Sequence, residues 1–228
     1  MTPLRKNDIR FRLDFRMNDL MQCLRYVLGL FICGMVVYYL TKMDLGLGPW
    51  ELFSKGLSLH CPFTFGQVII AVSIIILAID IILKEKIGLG MILDTLLLGV
   101  FVDIYTWIDP LPDISNFSVK IIIYCLSIFV MGFAQFLCMS AGQGMGPRDA
   151  LLVGIGKHLE KLPIGAVQLI ILGTVLLAGW LLGGPVGAGT VIMMIGLGPA
   201  LQMWSAIFRT ELREVEHKGV LEYVTKRY

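Results

Sequence analysis

The chain lacks most of what a soluble enzyme displays. Charged residues make up only 16% of its 228 positions, and the three histidines, His60, His158 and His217, are scattered in loops and the tail. No histidine pair, Walker loop or Rossmann fingerprint is present, so hydrolytic, metal and nucleotide chemistry have no visible ligand set. The reading is of a non-enzyme, with no metal and no cofactor. The five cysteines, Cys23, Cys33, Cys61, Cys125 and Cys138, have no metal-ligand spacing. Four of them lie in or beside apolar runs, as small packing residues do. Basic residues are not gathered on one face and the net charge is only +2, so nucleic acid is not an expected partner.

What the chain has instead is apolar length. Hydrophobic residues make up 57% of it, far above the soluble norm. A helix crosses a hydrocarbon core of roughly 30 Å with about 20 residues. Windows of that length fall at approximately 21–41, 66–83, 88–108, 120–140, 164–182 and 187–208, which predicts six transmembrane helices in a lipid bilayer. With the N-terminus in the cytoplasm, 16 of the 19 basic residues fall on the inside, and only Lys42, Lys55 and Lys120 lie outside. The positive-inside rule therefore places both termini in the cytoplasm. Residues 1–20 read as a basic amphipathic segment on the membrane surface, 109–119 as an acidic external linker, and 209–228 as a cytoplasmic tail. No cleavable signal peptide is expected, because the first apolar run is full-length and follows a charged segment.

The sequence repeats itself. At an offset of 98, Gly34 falls on Gly132, Gly46 on Gly144, Gly48 on Gly146, Pro49 on Pro147, Glu51 on Asp149 and Gly56 on Gly154. At an offset of 99, Gly66 falls on Gly165, the "GLG" of 88–90 on the "GAG" of 187–189, Gly99 on Gly198 and Asp103 on Gln202. Each half, 21–108 and 120–208, thus reads as a long helix, a short Gly-Pro-led helix (48–59 or 146–158) and two further long helices. The short segments are too short to span. Three crossings per half is an odd number, so the second half enters the membrane inverted, as in many transporters.

Gly48 and Gly146 suit the N-cap of the short helices, with Pro49 and Pro147 at the first helical position. Glu51 and Asp149 can then serve their own helix starts by complementing free N–H groups and the dipole. The same residues also fit a substrate site: Gly48, Pro49, Trp50 and Glu51 from one half, Gly146, Pro147, Arg148 and Asp149 from the other. Two glycine-led helix starts aimed at a common centre favour an anion, and Trp50 opposite Arg148 suits a polar or anionic head on a flat or apolar body. Alternatively, Arg148 is a cytoplasmic-side charge paired with its neighbour Asp149. Asp80 and Asp94 lie inside spans, where they either snorkel toward Lys84 and Lys86 or carry a proton or cation. Asp103 is expected to be solvated. Gln135, Gln168 and Gln202 are the neutral candidates for lining a cavity, or for bonding between helices. The run "GWLLGGPVGAGT", 179–190, predicts a tight turn followed by close helix packing.

The stretches "GLGPWE" at 46–51, "SAGQGMGPRDALL" at 140–152, "GWLLGGPVGAGT" at 179–190 and "GLGPALQ" at 196–202 closely resemble the YczE-like bacterial integral membrane proteins, within the broader YczE/YyaS/YitT group. The likeness runs from about residue 24 to 205. The family pattern usually has aspartate where this chain has Glu51, a change that keeps the charge and lengthens the arm. The resemblance implies a bacterial inner-membrane location and a six-helix body without an added soluble domain, and it supplies no substrate. Two functions stand on the sequence: a small secondary transporter or channel-like protein with a site between the halves, or a non-transporting accessory, scaffold or regulator. The partners expected are the bilayer and either a small molecule, another membrane protein or a second copy of the chain.

Overall fold

A computed structural model describes residues 6–159 and 163–210, with side chains from Leu20 onward except at Ile164. The side chains of the N-terminal amphipathic segment up to residue 19 and the tail from 211 onward lie outside the described residues. The rest forms α1 (Lys6–Met43), α2 (Pro49–Ser58), α3 (Phe65–Ile82), α4 (Leu89–Ile108), α5 (Phe117–Ser140), α6 (Pro147–His158), α7 (Ile164–Leu181) and α8 (Ala188–Ile207). Local chemistry sets the starts. Thr64 and Gln67 close a capping box at α3, and the Asn116 side chain accepts from the N–H groups of Ser118 and Val119 at α5. Pro49 and Pro147 open α2 and α6 behind glycine N-caps, as expected.

Five helical stretches are long and apolar enough to cross a membrane: Leu20–Met43, Phe65–Ile82, Leu89–Ile108, Phe117–Ser140 and Ala188–Ile207. A sixth, in α7, is apolar but shorter over its described residues, Gly165–Leu181. Large apolar side chains such as Ile82, Trp107, Leu169 and Ile195 stand exposed on the outer faces. Such a surface needs lipid around it.

The centre is built by α1 packing on α5, with α4 against α1 and α8 against α5; α2 lies along α7, and α6 along α3. Equivalent positions make equivalent contacts. The Gly90 N–H donates to the Gln143 carbonyl at 2.7 Å, and the Gly189 N–H donates to the Leu45 carbonyl at 2.7 Å. A Cβ on Gly90 would lie 2.6 Å from the Tyr26 ring, and one on Gly189 would lie 2.6 Å from the Tyr124 ring. Gly46 and Gly144 adopt φ of 107° and 105°, where a side chain is strained.

The linker after α4 is tied to the end of α1. Lys42 Nζ lies 2.6 Å from Asp109 and 3.1 Å from Asp113, and Tyr38 donates a short hydrogen bond to Asp109. The Lys42 ammonium, followed by the Tyr38 hydroxyl, holds the Asp109 carboxyl below the usual carboxylate range. A depressed native pKa contributes stability that is present above the unfolded pKa and lost as pH falls through the native one. The linker is therefore expected to become protease-sensitive on acidification below the ordinary carboxylate range. Asp109→Asn should show that sensitivity already at neutral pH. Gly90→Ala and Gly189→Ala should each cost about 1–3 kcal/mol by overpacking, read as a lowered midpoint of unfolding in detergent.

Candidate functional site

The starts of α2 and α6 meet. Gly48 and Gly146 have extended backbones (ψ 160° in both) and no side-chain cap, so the first-turn N–H groups keep their donor capacity. Each start is held by the other half of the chain, because α4 bonds the loop before α6 and α8 bonds the loop before α2. At the junction, Arg148 Nη1 lies 2.5 Å from Glu51 Oε1, with side chains only 16% and 10% exposed. The guanidinium carbon sits 5.7 Å from the centre of the Trp50 ring. The expected confrontation of Trp50 and Arg148 is thus present. Arg148 reaches across the junction to Glu51: adjacent helical residues point about 100° apart, and Asp149 is exposed while Arg148 turns inward. Arg148 Nη2 is buried without a hydrogen-bond partner among the described residues.

Two pairs of equivalent positions differ in chemistry around the junction. A Cβ on Gly146 would lie 2.9 Å from Asp94 Oδ2, whereas one on Gly48 would lie 2.9 Å from the Met193 sulfur. Asp94 and Met193 are 99 positions apart, so one half puts a carboxylate where the other puts a thioether. Asp94 therefore does not snorkel toward Lys84 and Lys86; it faces the α6 start, half-buried. One guanidinium is thus close to the carboxylates of Glu51 and Asp94, and Asp149 follows on the same helix turn. Gln143, 98 positions from Leu45, is fully buried and its side-chain amide donates to Gln22 at 3.1 Å. Its position between two glycines of the second loop was the available signal for it.

The remaining expectations divide. Asp80 does not reach Lys84 or Lys86: it is fully buried, and neither carboxylate oxygen has a hydrogen-bond partner among the described residues. It sits in the last turn of α3, in line with Val72 and Ile76, which pack toward Leu151 of α6. Asp103 is not simply solvated, since it accepts from the Thr64 hydroxyl and from the Gly66 N–H at 2.8 Å. The free N–H groups of α3's first turn supply the reason. Gln168 and Gln202 are exposed and Gln135 is half-buried, so none is enclosed in the junction. A cavity of about 180 Å³ lies at the linker end, lined by Tyr39, Lys42, Met43, Pro112, Asp113, Ile114 and Lys120. It includes none of the expected site residues.

These helices and their lipid-facing surface define a multi-pass helical membrane protein. The match to known families is specific: residues 20–206 match a family of unknown function, DUF6198, and the chain belongs to that family. It is similar to the uncharacterized membrane protein YczE of Bacillus subtilis, at 33% identity over 183 residues, covering 78% of this chain and 82% of that one. An uncharacterized protein of Haemophilus influenzae is 32% identical over 176 residues, covering 77% and 79%. The uncharacterized protein YyaS of Bacillus subtilis is 22% identical over 202 residues, covering 87% of this chain and all of that one. No solved structure matches the chain.

Removing one partner of a buried ion pair strands the other charge, at a cost of about 3–5 kcal/mol. Glu51→Ala is expected to destabilise by that order in detergent unfolding. Adding Arg148→Met to it should recover much of the loss; a double variant no more stable than Glu51→Ala would mean that the pair is not coupled.

Proposed function

We propose that this protein is a small secondary transporter, or a channel-like protein, of the bacterial inner membrane, taking a small molecule with an anionic or polar head between the starts of α2 and α6. The observation that carries this reading is the buried Arg148–Glu51 pair, in which the first turns of the two short helices touch. Free N–H groups at both starts and the unpartnered Nη2 of Arg148 are donors suited to an acceptor-rich ligand. Glu51 occupies Arg148 from within, as a ligand carboxylate would. Binding of an anion then displaces Glu51, and the liberated carboxylate swings away from Arg148 toward water. The chain performs no covalent chemistry in this reading.

The topology proposed with it has six spans, α1, α3, α4, α5, α7 and α8, in two halves of opposite orientation with both termini in the cytoplasm. It is supported by the equivalent contacts of the halves, the 16 of 19 basic residues that fall on one side, and the placement of Trp107 and Trp180 near helix ends assigned to the other. His60 and His158, 98 positions apart and both exposed, make the test direct. His60→Cys should react with an impermeant reagent from outside intact cells and His158→Cys only from inside; labelling of both from one side would overturn the inversion. For the site, uptake of a panel of small anions into proteoliposomes under an imposed pH gradient should fall at least ten-fold in Arg148→Ala and be altered in Asp149→Asn. Flux unchanged in both would remove the site. A stoichiometric protein partner retained from native membranes would instead favour the accessory role.

A further inference from the structure

The two halves agree at the backbone hydrogen bonds of Gly90 and Gly189 but not at one pair of helices. In the first half, α3 packs along α4, and the contact is backbone on backbone: a Cβ on Gly66 would lie 2.1 Å from the Gly99 carbonyl oxygen, and one on Gly99 would lie 2.2 Å from that of Gly66. Asp103 fastens the same pair by accepting from Thr64 and Gly66. In the second half the equivalent helices, α7 and α8, scarcely touch among the described residues. Gly165 and Gly198 stand where Gly66 and Gly99 stand in the first half, yet a Cβ on either would meet no described atom within 4 Å.

A glycine inside a helix is less favourable than alanine, and in this conformation no neighbouring helix excludes a side chain at either position. The first half shows what these two glycines suit: direct contact between the helices that carry them. We infer that the protein has a second conformation in which α7 closes on α8 through Gly165 and Gly198 while α3 parts from α4 at Gly66 and Gly99. The two seams exchange roles, and the junction of α2 and α6 lies between them. Asp80 rides on α3, the helix that moves. Its carboxylate oxygens have no hydrogen-bond partner among the described residues, and the parting of α3 gives them access to water, which favours the second conformation. As a gate for the junction this rests on the transporter reading, but the closure itself is a property of the fold.

The test uses the positions that fasten the first seam. Thr64 and Asp103 are hydrogen-bonded, and 99 positions on from them are Pro163 and Gln202. In the full chain with its five native cysteines replaced, Pro163→Cys with Gln202→Cys should form a disulfide under mild oxidation in membrane vesicles. Gly198→Leu, added to that pair, should slow the cross-link at least ten-fold while leaving the melting temperature of the protein unlowered. Gly99→Leu should lower the melting temperature. No cross-link, a cross-link indifferent to Gly198→Leu, or a melting temperature lowered by Gly198→Leu would each overturn the second conformation. Anion flux that still depends on Arg148 while the cross-link fails would remove the gate and spare the site; a cross-link without any flux would do the reverse.

Discussion

Two backbone hydrogen bonds hold the architecture: the first turn of α4 donates from Gly90 to the loop before α6, and the first turn of α8 donates from Gly189 to the loop before α2. In an apolar medium an unpaired peptide group is costly, so non-helical backbone survives only where protein satisfies it. The loops that carry the short helices are such backbone. Each therefore leans on the other half of the chain, and glycine is needed on both sides of the contact: a Cβ on Gly88 would lie 2.4 Å from the Gln143 oxygen, and one on Gly187 would lie 2.4 Å from that of Leu45. Neither half can place its own short helix. The convergence of Glu51 and Arg148 follows from this mutual support.

Around that frame, cohesion comes from close packing more than from the expulsion of water, as lipid tails are as apolar as the side chains they replace. The small residues mark where backbones approach: Gly34 of α1 against α4, Gly132 of α5 against α8, and Gly179 of α7 against the backbone of Phe53. Tyr124 shows how a polar atom is accommodated at that depth: its ring covers Gly189 and its hydroxyl donates to the Gly46 carbonyl at 2.8 Å. Asp80 differs: it is buried, and its carboxylate oxygens have no such partner among the described residues.

The helices were legible because apolar length, glycine-proline starts and polar caps are local signals; the ends of α2, α3 and α4 fall within a residue or two of their reading. The glycine coincidences also gave the pairing of positions, and the pairs at Gly34 and Gly132, Gly56 and Gly154, and Gly90 and Gly189 make matching contacts, whereas Gly165 and Gly198 do not repeat the contact of Gly66 and Gly99. What the sequence could not yield was which faces meet. Arg148 has an acid beside it in the chain and takes one 97 positions away, because helical rotation separates neighbours in sequence. Asp94 and Asp80 look alike in a hydropathy trace, yet one faces a helix start and the other a neighbouring helix. Spans surrounded by lipid and protein are apolar on all sides, so periodicity carries little of the facing information it gives in soluble helices.

At the junction, equivalent positions carry unlike groups: tryptophan against arginine at 50 and 148, thioether against carboxylate at 193 and 94, leucine against glutamine at 45 and 143. The contacts that hold the junction recur at equivalent positions, and its lining does not. A perfectly symmetric junction would receive an asymmetric molecule equally well in either of two poses, head toward one membrane face or the other. Under the proposed function, the guanidinium comes from α6 alone, so a guest held there would take a single heading and the two faces of the membrane would be chemically distinguished.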